Sequence, residues 1–443
     1  MSNAQRVSDE ARIAAAVVDV ADAAVGTARA TALPQVRLNT TYTHAYQNAR
    51  GQAVGQVFNQ PNTYNANLSI SQTFFQGGRI LSGIRAASAL RSASRFDEIE
   101  SKTQLTIDVQ RSYLNVLFTT RLEEIQRNNL ALADARLVQV RQLLSAGRAA
   151  RYDVLRASVE RANLEPTVIQ AHNDRQLAEL DFKRLLNIPV DRPLVLTTVV
   201  DPNAVRTMLA SFDDSTAAPD RASVHAAELL VRSREASIAV ARADLLPSLS
   251  LTFNTGYQAF PPRGFGFPDR FGQAANQFCQ PGASSSQVCQ NGGWFSDRSL
   301  TATFSIPIFD GLRAKSNIDL ARAQTHLAET QLQQERETVA LEVARARAEL
   351  ERSRSVFVAR QQTSSEAQEA FQLASLRFSR GLSTQLEVSD AQFALLTAQS
   401  SEARATYDLY LASAELARSL GRPIPFPPSA QAQPSRRSDD GAR

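Results

Sequence analysis

Phe75-Gln76-Gly77-Gly78-Arg79 opens a long Ala/Arg/Gln-rich tract that closes at Leu185-Leu186-Asn187-Ile188-Pro189. The same plan returns as Phe309-Asp310-Gly311-Leu312-Arg313 and closes at Ser419-Leu420-Gly421-Arg422-Pro423. Phe75 and Phe309, Gly147 and Gly381, and Pro189 and Pro423 are each separated by 234 positions. A stretch of roughly a hundred residues thus repeats without a net insertion, and a repeat of this length frames every other reading.

Each tract reads as helix. Arg79 to about Leu144 has no proline and no glycine except Gly83, and at 1.5 Å per residue it would span roughly 100 Å. Apolar residues recur at three- and four-residue steps: Leu114, Leu117/Phe118, Leu122, Ile125. Gly147 interrupts, and helix resumes from Tyr152 to Leu186; the second copy runs from Arg313 to Ser379 and from Leu386 to Leu420. Glycine ends a helix in the left-handed conformation at little cost, so a helix hairpin is expected at each interruption. The alternative is a kink within one continuous helix.

Ahead of each tract lies a pair of alternating segments. A helical stretch from Ala11 to Ala32 stops at Leu33-Pro34. Val36, Leu38, Thr40 and Tyr42 then share one parity, and Arg37, Asn39, Thr41 and Thr43 the other. After a polar loop, about Asn48 to Thr63, Tyr64, Ala66, Leu68, Ile70 and Phe74 alternate with Asn65, Asn67, Ser69, Ser71 and Thr73. Side chains of a strand point to opposite faces in turn, so this is a half-polar β-hairpin. The pattern recurs after Leu246-Pro247, with Leu249, Leu251, Phe253, Thr255 and Tyr257, and returns through Leu300, Ala302, Phe304, Ile306 and Ile308. Pro34 and Pro247 are 213 apart, so the 21 additional residues fall in the second hairpin's loop, Ala259 to Asp297.

An apolar face opposed to a face of Ser, Thr and Asn over about ten residues suits a barrel strand between lipid and a wet lumen; the alternative is the edge of a soluble sandwich. Four strands cannot close a barrel, and lipid does not tolerate open edges. The chain is therefore expected to associate, three copies supplying twelve strands. Tyr42, Tyr46, Tyr64 and Tyr257 lie toward the loop ends, where an aromatic girdle is expected.

Composition narrows the classes. Of 443 residues 43% are hydrophobic and 21% charged, and the net charge is +4. Acids and bases are interspersed along the helices, which argues for a solvated surface and against a nucleic-acid partner. No apolar run is long enough for a transmembrane helix, and Met1 to Glu10 has no secretory apolar core. No nucleophile–base set, phosphate loop or metal-ligand spacing is visible, so neither an enzyme nor a cofactor is expected. Arg192 to Asp220 is a non-periodic connector, and Pro427 to Arg443 reads as a disordered tail. The expected division is repeat 1 over 1–189, with a hairpin at 35–75 and a tip near 147; a connector over 190–220; repeat 2 over 221–426, with a hairpin at 248–308 and a tip near 381; and the tail over 427–443.

These features resemble the TolC-like outer-membrane efflux proteins. The resemblance covers about residues 8–425 and rests on Leu33-Pro34 and Leu246-Pro247 before a strand, Phe75-x-Gly-Gly-Arg79 and Phe309-x-Gly-Leu-Arg313 after one, and the two Gly-centred turns. It implies a homotrimer with a twelve-stranded outer-membrane β-barrel continued by a long periplasmic α-helical barrel. That duct passively exports small molecules or proteins, together with a periplasmic adaptor and an inner-membrane transporter. The rival from another class is a soluble coiled-coil scaffold.

The resemblance also assigns residues. Gly147 and Arg148, with Gly381, Leu382 and Ser383, would be the periplasmic tips that meet the adaptor. Arg148 stands where the family usually has Leu, which bears on adaptor choice. Glu387 and Asp390 match the acids that ring the entrance. Thr384-x-x-Glu387 is also a capping box, and the two roles are compatible. Asp153, at the place equivalent to Glu387, reads as a first-turn acid favoured by the helix dipole. Cys279 and Cys289 lie in the loop that would face the cell exterior, where thiols oxidise, and a disulfide is expected between them.

Overall fold

The computed structural model describes residues 8–47, 62–196, 220–259 and 294–423. Cys279, Cys289, most of the connector and the tail after 427 lie outside them. Two helix pairs and two strand pairs follow the repeat. Helix α1 is Asp9–Ala30, followed by β1 (Gln35–His44), β2 (Asn62–Gln76), α2 (Arg79–Ser145) and α3 (Arg151–Leu185). The second set is α4 (Ala222–Arg242), β3 (Ser248–Ala259), β4 (Trp294–Ser305), α5 (Arg313–Ser379) and α6 (Gln385–Ser419). Both long helices have 67 residues and both return helices 35. The 234-residue offset therefore holds at every long-helix boundary.

The turn reading holds over the kink. Across the first glycine, Asp134 meets Arg161, Glu123 meets His172 and Tyr113 meets Phe182, pairs in which one number falls as the other rises, as an antiparallel hairpin requires. Pro166 sits inside α3 without ending it, because contacts with α2 hold the helix on both sides of the lost hydrogen bond.

The chain divides into two compact units. One comprises Val20–Ser92 and Leu229–Glu329 and carries a four-stranded antiparallel sheet in the order β1-β2-β3-β4. Its register lines up the alternation. Val36, Ile70, Phe253 and Leu300 form one apolar row; Arg37, Ser69, Asn254 and Ser299 form a polar row on the other face. The apolar row is open to solvent, with Val36 61% and Leu300 67% exposed.

Two details depart from the alternation. A bulge between Thr73 and Phe75 sets both Phe74 and Phe75 opposite Leu249. Strand β4 ends at Ser305, so Ile306 and Ile308 are not strand residues as expected; Pro307 has no N–H for the ladder. Arg79, from the first tract's opening motif, forms an ion pair with Asp244, which also accepts from Asn317 Nδ2 at 3.4 Å.

The other unit comprises Met1–Asp19, Ala93–Glu228 and Thr330–Arg443. Its helices lie in the order α3, α2, α6, α5. α2 touches α3 through the hairpin pairs above and α6 through Phe118–Tyr407 and Arg111–Glu415; α6 touches α5 through Gln368–Gln399 and Arg418–Glu342. Leu114, Val343, Leu350, Phe357, Leu409, Tyr410 and Leu416 form its largest apolar core. Arg221, nearly buried, binds Glu100 at 2.6 Å and Glu342 at 3.0 Å, while Arg418 reaches Glu342 at 3.3 Å. Among the described residues no helix is long and apolar enough to cross a membrane.

Candidate functional site

Both glycine turns close the same way. Gly147 (φ 72°) donates to Leu144 O at 2.9 Å and Arg148 to Leu143 O at 2.8 Å; Gly381 (φ 76°) donates to Phe378 O at 2.9 Å and Leu382 to Arg377 O at 2.9 Å. This pair of bonds satisfies the last helical carbonyls and requires a left-handed residue, which glycine supplies without strain.

The turns differ in how the return helix starts. Thr384 Oγ1 accepts from Glu387 N at 3.4 Å. Position 150 is alanine and has no such oxygen; there the Asp153 carboxylate accepts from Ala150 N at 2.9 Å, as a first-turn acid does. The Thr384–Glu387 capping box forms only its threonine half. The Glu387 carboxylate turns away from the Thr384 amide and accepts from Arg377 Nη1 at 2.8 Å, because an opposite charge across the turn outbids a neutral amide. Arg377 also reaches Leu382 O at 3.5 Å and Ser383 Oγ reaches Ala374 O at 3.5 Å. Arg377 thus links Glu387 and Leu382 across the tip, and Ser383 ties it back to Ala374, with Leu382 70% exposed. Asp390 is exposed on the next turn and has no ion-pair or hydrogen-bond partner among the described residues.

Behind the tips lies a polar joint that sequence reasoning missed. Arg136 on α2 donates to Gln392 Oε1 on α6; Gln392 Nε2 donates to Asn129 O at 3.2 Å. Glu160 on α3 lies 3.7 Å from Arg136 and accepts from Ser389 Oγ at 2.6 Å. Burial lowers the pKa of Arg136, against the opposing charge of Glu160. The joint ties three helices together eleven residues from each glycine (136 to 147, 381 to 392), so both turns lie at one end of the unit. Its members are common helix-surface residues in the sequence, and only packing distinguishes them.

The sequence profile of the outer membrane efflux protein family matches residues 2–187 and 215–422. The chain belongs to the outer membrane efflux protein family. It is 28% identical over 366 residues to the pyoverdine export outer membrane protein OpmQ of Pseudomonas putida, covering 81% of this chain and 70% of that one. It is 26% identical over 330 residues to outer membrane protein OprJ of Pseudomonas aeruginosa, covering 71% and 60%. The open-state MtrE outer membrane channel of Neisseria gonorrhoeae shares the fold with a TM-score of 0.74, at 20% identity over 95% of this chain and 88% of that chain. The efflux protein is an outer-membrane channel, and the soluble-scaffold reading is set aside.

The two hairpins of this family member differ inside. In the first, Glu123 is nearly buried and meets Arg175, His172 and Arg127. Burial pushes its pKa up, but hydrogen bonds from His172 and Arg175 and the charges of Arg175 and Arg127 outweigh this, and the net shift is downward. At the equivalent places, 234 positions on, the second hairpin has Phe357, Thr406 and Leu409 in place of Glu123, His172 and Arg175. The charged cluster and the apolar core occupy the same layer of the two copies.

Proposed function

We propose that three copies form the exit duct of a tripartite efflux or type I secretion system, the sheet-bearing unit in the outer membrane and the helical unit in the periplasm. The observation that carries the trimer is the sheet itself: β1 and β4 each have one neighbour among the described residues. Edge strands in lipid must pair, and three copies supply a twelve-stranded closed barrel. The repeats then serve as the working divisions, 1–189 and 221–426, with 190–220 as connector and 427–443 as tail. Gly147 and Arg148, with Gly381, Leu382 and Ser383, meet a periplasmic adaptor, which couples the duct to an inner-membrane transporter. Leu382 offers that partner an exposed apolar knob where the first tip offers Arg148. The relative named for pyoverdine export supports a small-molecule cargo.

Glu387 and Asp390 line the entrance in this reading, and planar-bilayer conductance tests it. Asp390 has no ion-pair partner among the described residues, whereas Glu387 is neutralised by Arg377, so Asp390→Ala is expected to act more strongly. Three carboxylates ~10 Å from an axis contribute about 0.4 kcal/mol each in water. Screening at 0.1 M salt leaves roughly a third of that, or about a twofold fall in cation preference. Conductance should rise in Glu387→Ala/Asp390→Ala. Unchanged conductance and selectivity in the double variant would remove both residues from the entrance. Thiol titration of the unreduced protein tests the disulfide expected between Cys279 and Cys289 and should find no reactive thiol; two would refute the bridge.

A further inference from the structure

The repeat specifies which helix faces meet between copies. Within the chain, α2 of the first repeat covers α6 of the second. The helix row α3-α2-α6-α5 ends on α3 and α5, which are the repeat equivalents of α6 and α2. The in-chain joint thus has an uncovered twin, split between the two edges of the row.

The residues support this. The joint uses Arg111, Phe118, Asn129 and Arg136 on α2. Their equivalents on α5 are Arg345, Arg352, Thr363 and Ala370, and all four are exposed. On α6 the joint uses Gln392, Arg404, Tyr407 and Glu415. Of their equivalents on α3, Gln170, Asn173 and Asp181 are exposed and Ser158 is half-buried. Leu177, one turn before Asp181, is 60% exposed. Charge is preserved at one pair: Arg111 binds Glu415 at 2.6 Å, and the twins are Arg345 and Asp181. Neither has an ion-pair partner among the described residues.

We propose that α5 of one copy packs on α3 of the next with the geometry of the α2–α6 joint, and that Arg345 binds Asp181 across that contact. The proposal rests on the ring reading above and names its interface. The occupant is a second copy of this chain because the missing half of each joint is a helix face that the chain itself carries at its other edge. The twin contact differs in kind from the in-chain one. Thr363, Ala370 and Ser158 replace the large hydrogen-bonded set Asn129, Arg136 and Gln392, so the helices between copies can approach more closely and hold fewer buried polar groups.

The test uses the full chain in detergent, with Cys279→Ser and Cys289→Ser as background. Arg345→Cys and Asp181→Cys are introduced together and treated with a short bis-maleimide. Dimers and trimers should become the main bands on a denaturing gel. The in-chain pair Arg111→Cys and Glu415→Cys should leave single chains. A native trimer in which the 345/181 pair gives only single chains overturns the contact and leaves the ring intact; a native monomer removes the ring and the contact with it. In the wild-type background, Arg345→Asp and Asp181→Arg should each raise the dissociated fraction several-fold, and the double reversal should restore it. Failure of the double to recover, with both singles dissociating, also counts against the pair.

Discussion

Phe357→Glu is expected to destabilise the helical unit by about 4 kcal/mol or more, because it buries a carboxylate in an apolar layer. Phe357 is 1% exposed and packs in the core with Leu114, Leu350 and Leu409. The equivalent residue of the first repeat is Glu123, so the substitution installs what the other copy already has. It fails at 357 because the supporting cations are absent: the places of His172 and Arg175 are taken by Thr406 and Leu409. Phe357→Leu keeps the layer apolar and should cost only about 1 kcal/mol. Chemical unfolding followed by helical circular dichroism separates the two variants. Equal midpoints for glutamate and leucine at 357 would mean that the layer is wet.

Gly421→Ala is the second large effect, expected at about 3 kcal/mol. Gly421 closes α6 with φ 70°, donating to Arg418 O at 2.9 Å, and Arg422 donates to Ala417 O at 2.8 Å. A Cβ there would lie 2.0 Å from Asp220 O, a backbone atom. The left-handed backbone alone costs a non-glycine residue about 1–2 kcal/mol, and the clash adds to it because the chain at Asp220 must move. Gly381→Ala provides the comparison. It shares the left-handed backbone (φ 76°) but meets nothing within 4 Å, so it should lose only about 1 kcal/mol. The repeat equivalent of Gly421 is Asn187, which takes φ 52° with a side chain in place. Melting temperatures of the two alanine variants that fall together would show that the close approach to Asp220 is not limiting.

The long helices and their glycine turns were legible because their signals are local. A proline-free tract, a left-handed residue at its end and a 234-residue repeat need no knowledge of neighbours. Strand alternation was legible for the same reason, except where the pairing partner decides: the bulge at Thr73/Phe75 exists only against Leu249. The candidate entrance was half legible. Thr384 capped its helix as its spacing required, but Glu387 chose Arg377, ten residues back across a turn. No local pattern ranks those two partners, since their distance depends on how the hairpin closes.

By itself the sequence determined a twice-repeated plan of helix, strand pair and helix hairpin, with one wet and one apolar sheet face and four strands that cannot close alone. Periodicity, proline and glycine act over a few residues, so their consequences are written in the order of the chain. Only the tertiary structure decided which helix covers which, that Arg136, Gln392 and Glu160 meet behind the tips, and that one hairpin is charged inside where its twin is apolar. Those outcomes depend on burial, and burial is set by residues far apart in the chain, such as Glu123 and His172 or Arg136 and Gln392, coming within a few ångströms of one another.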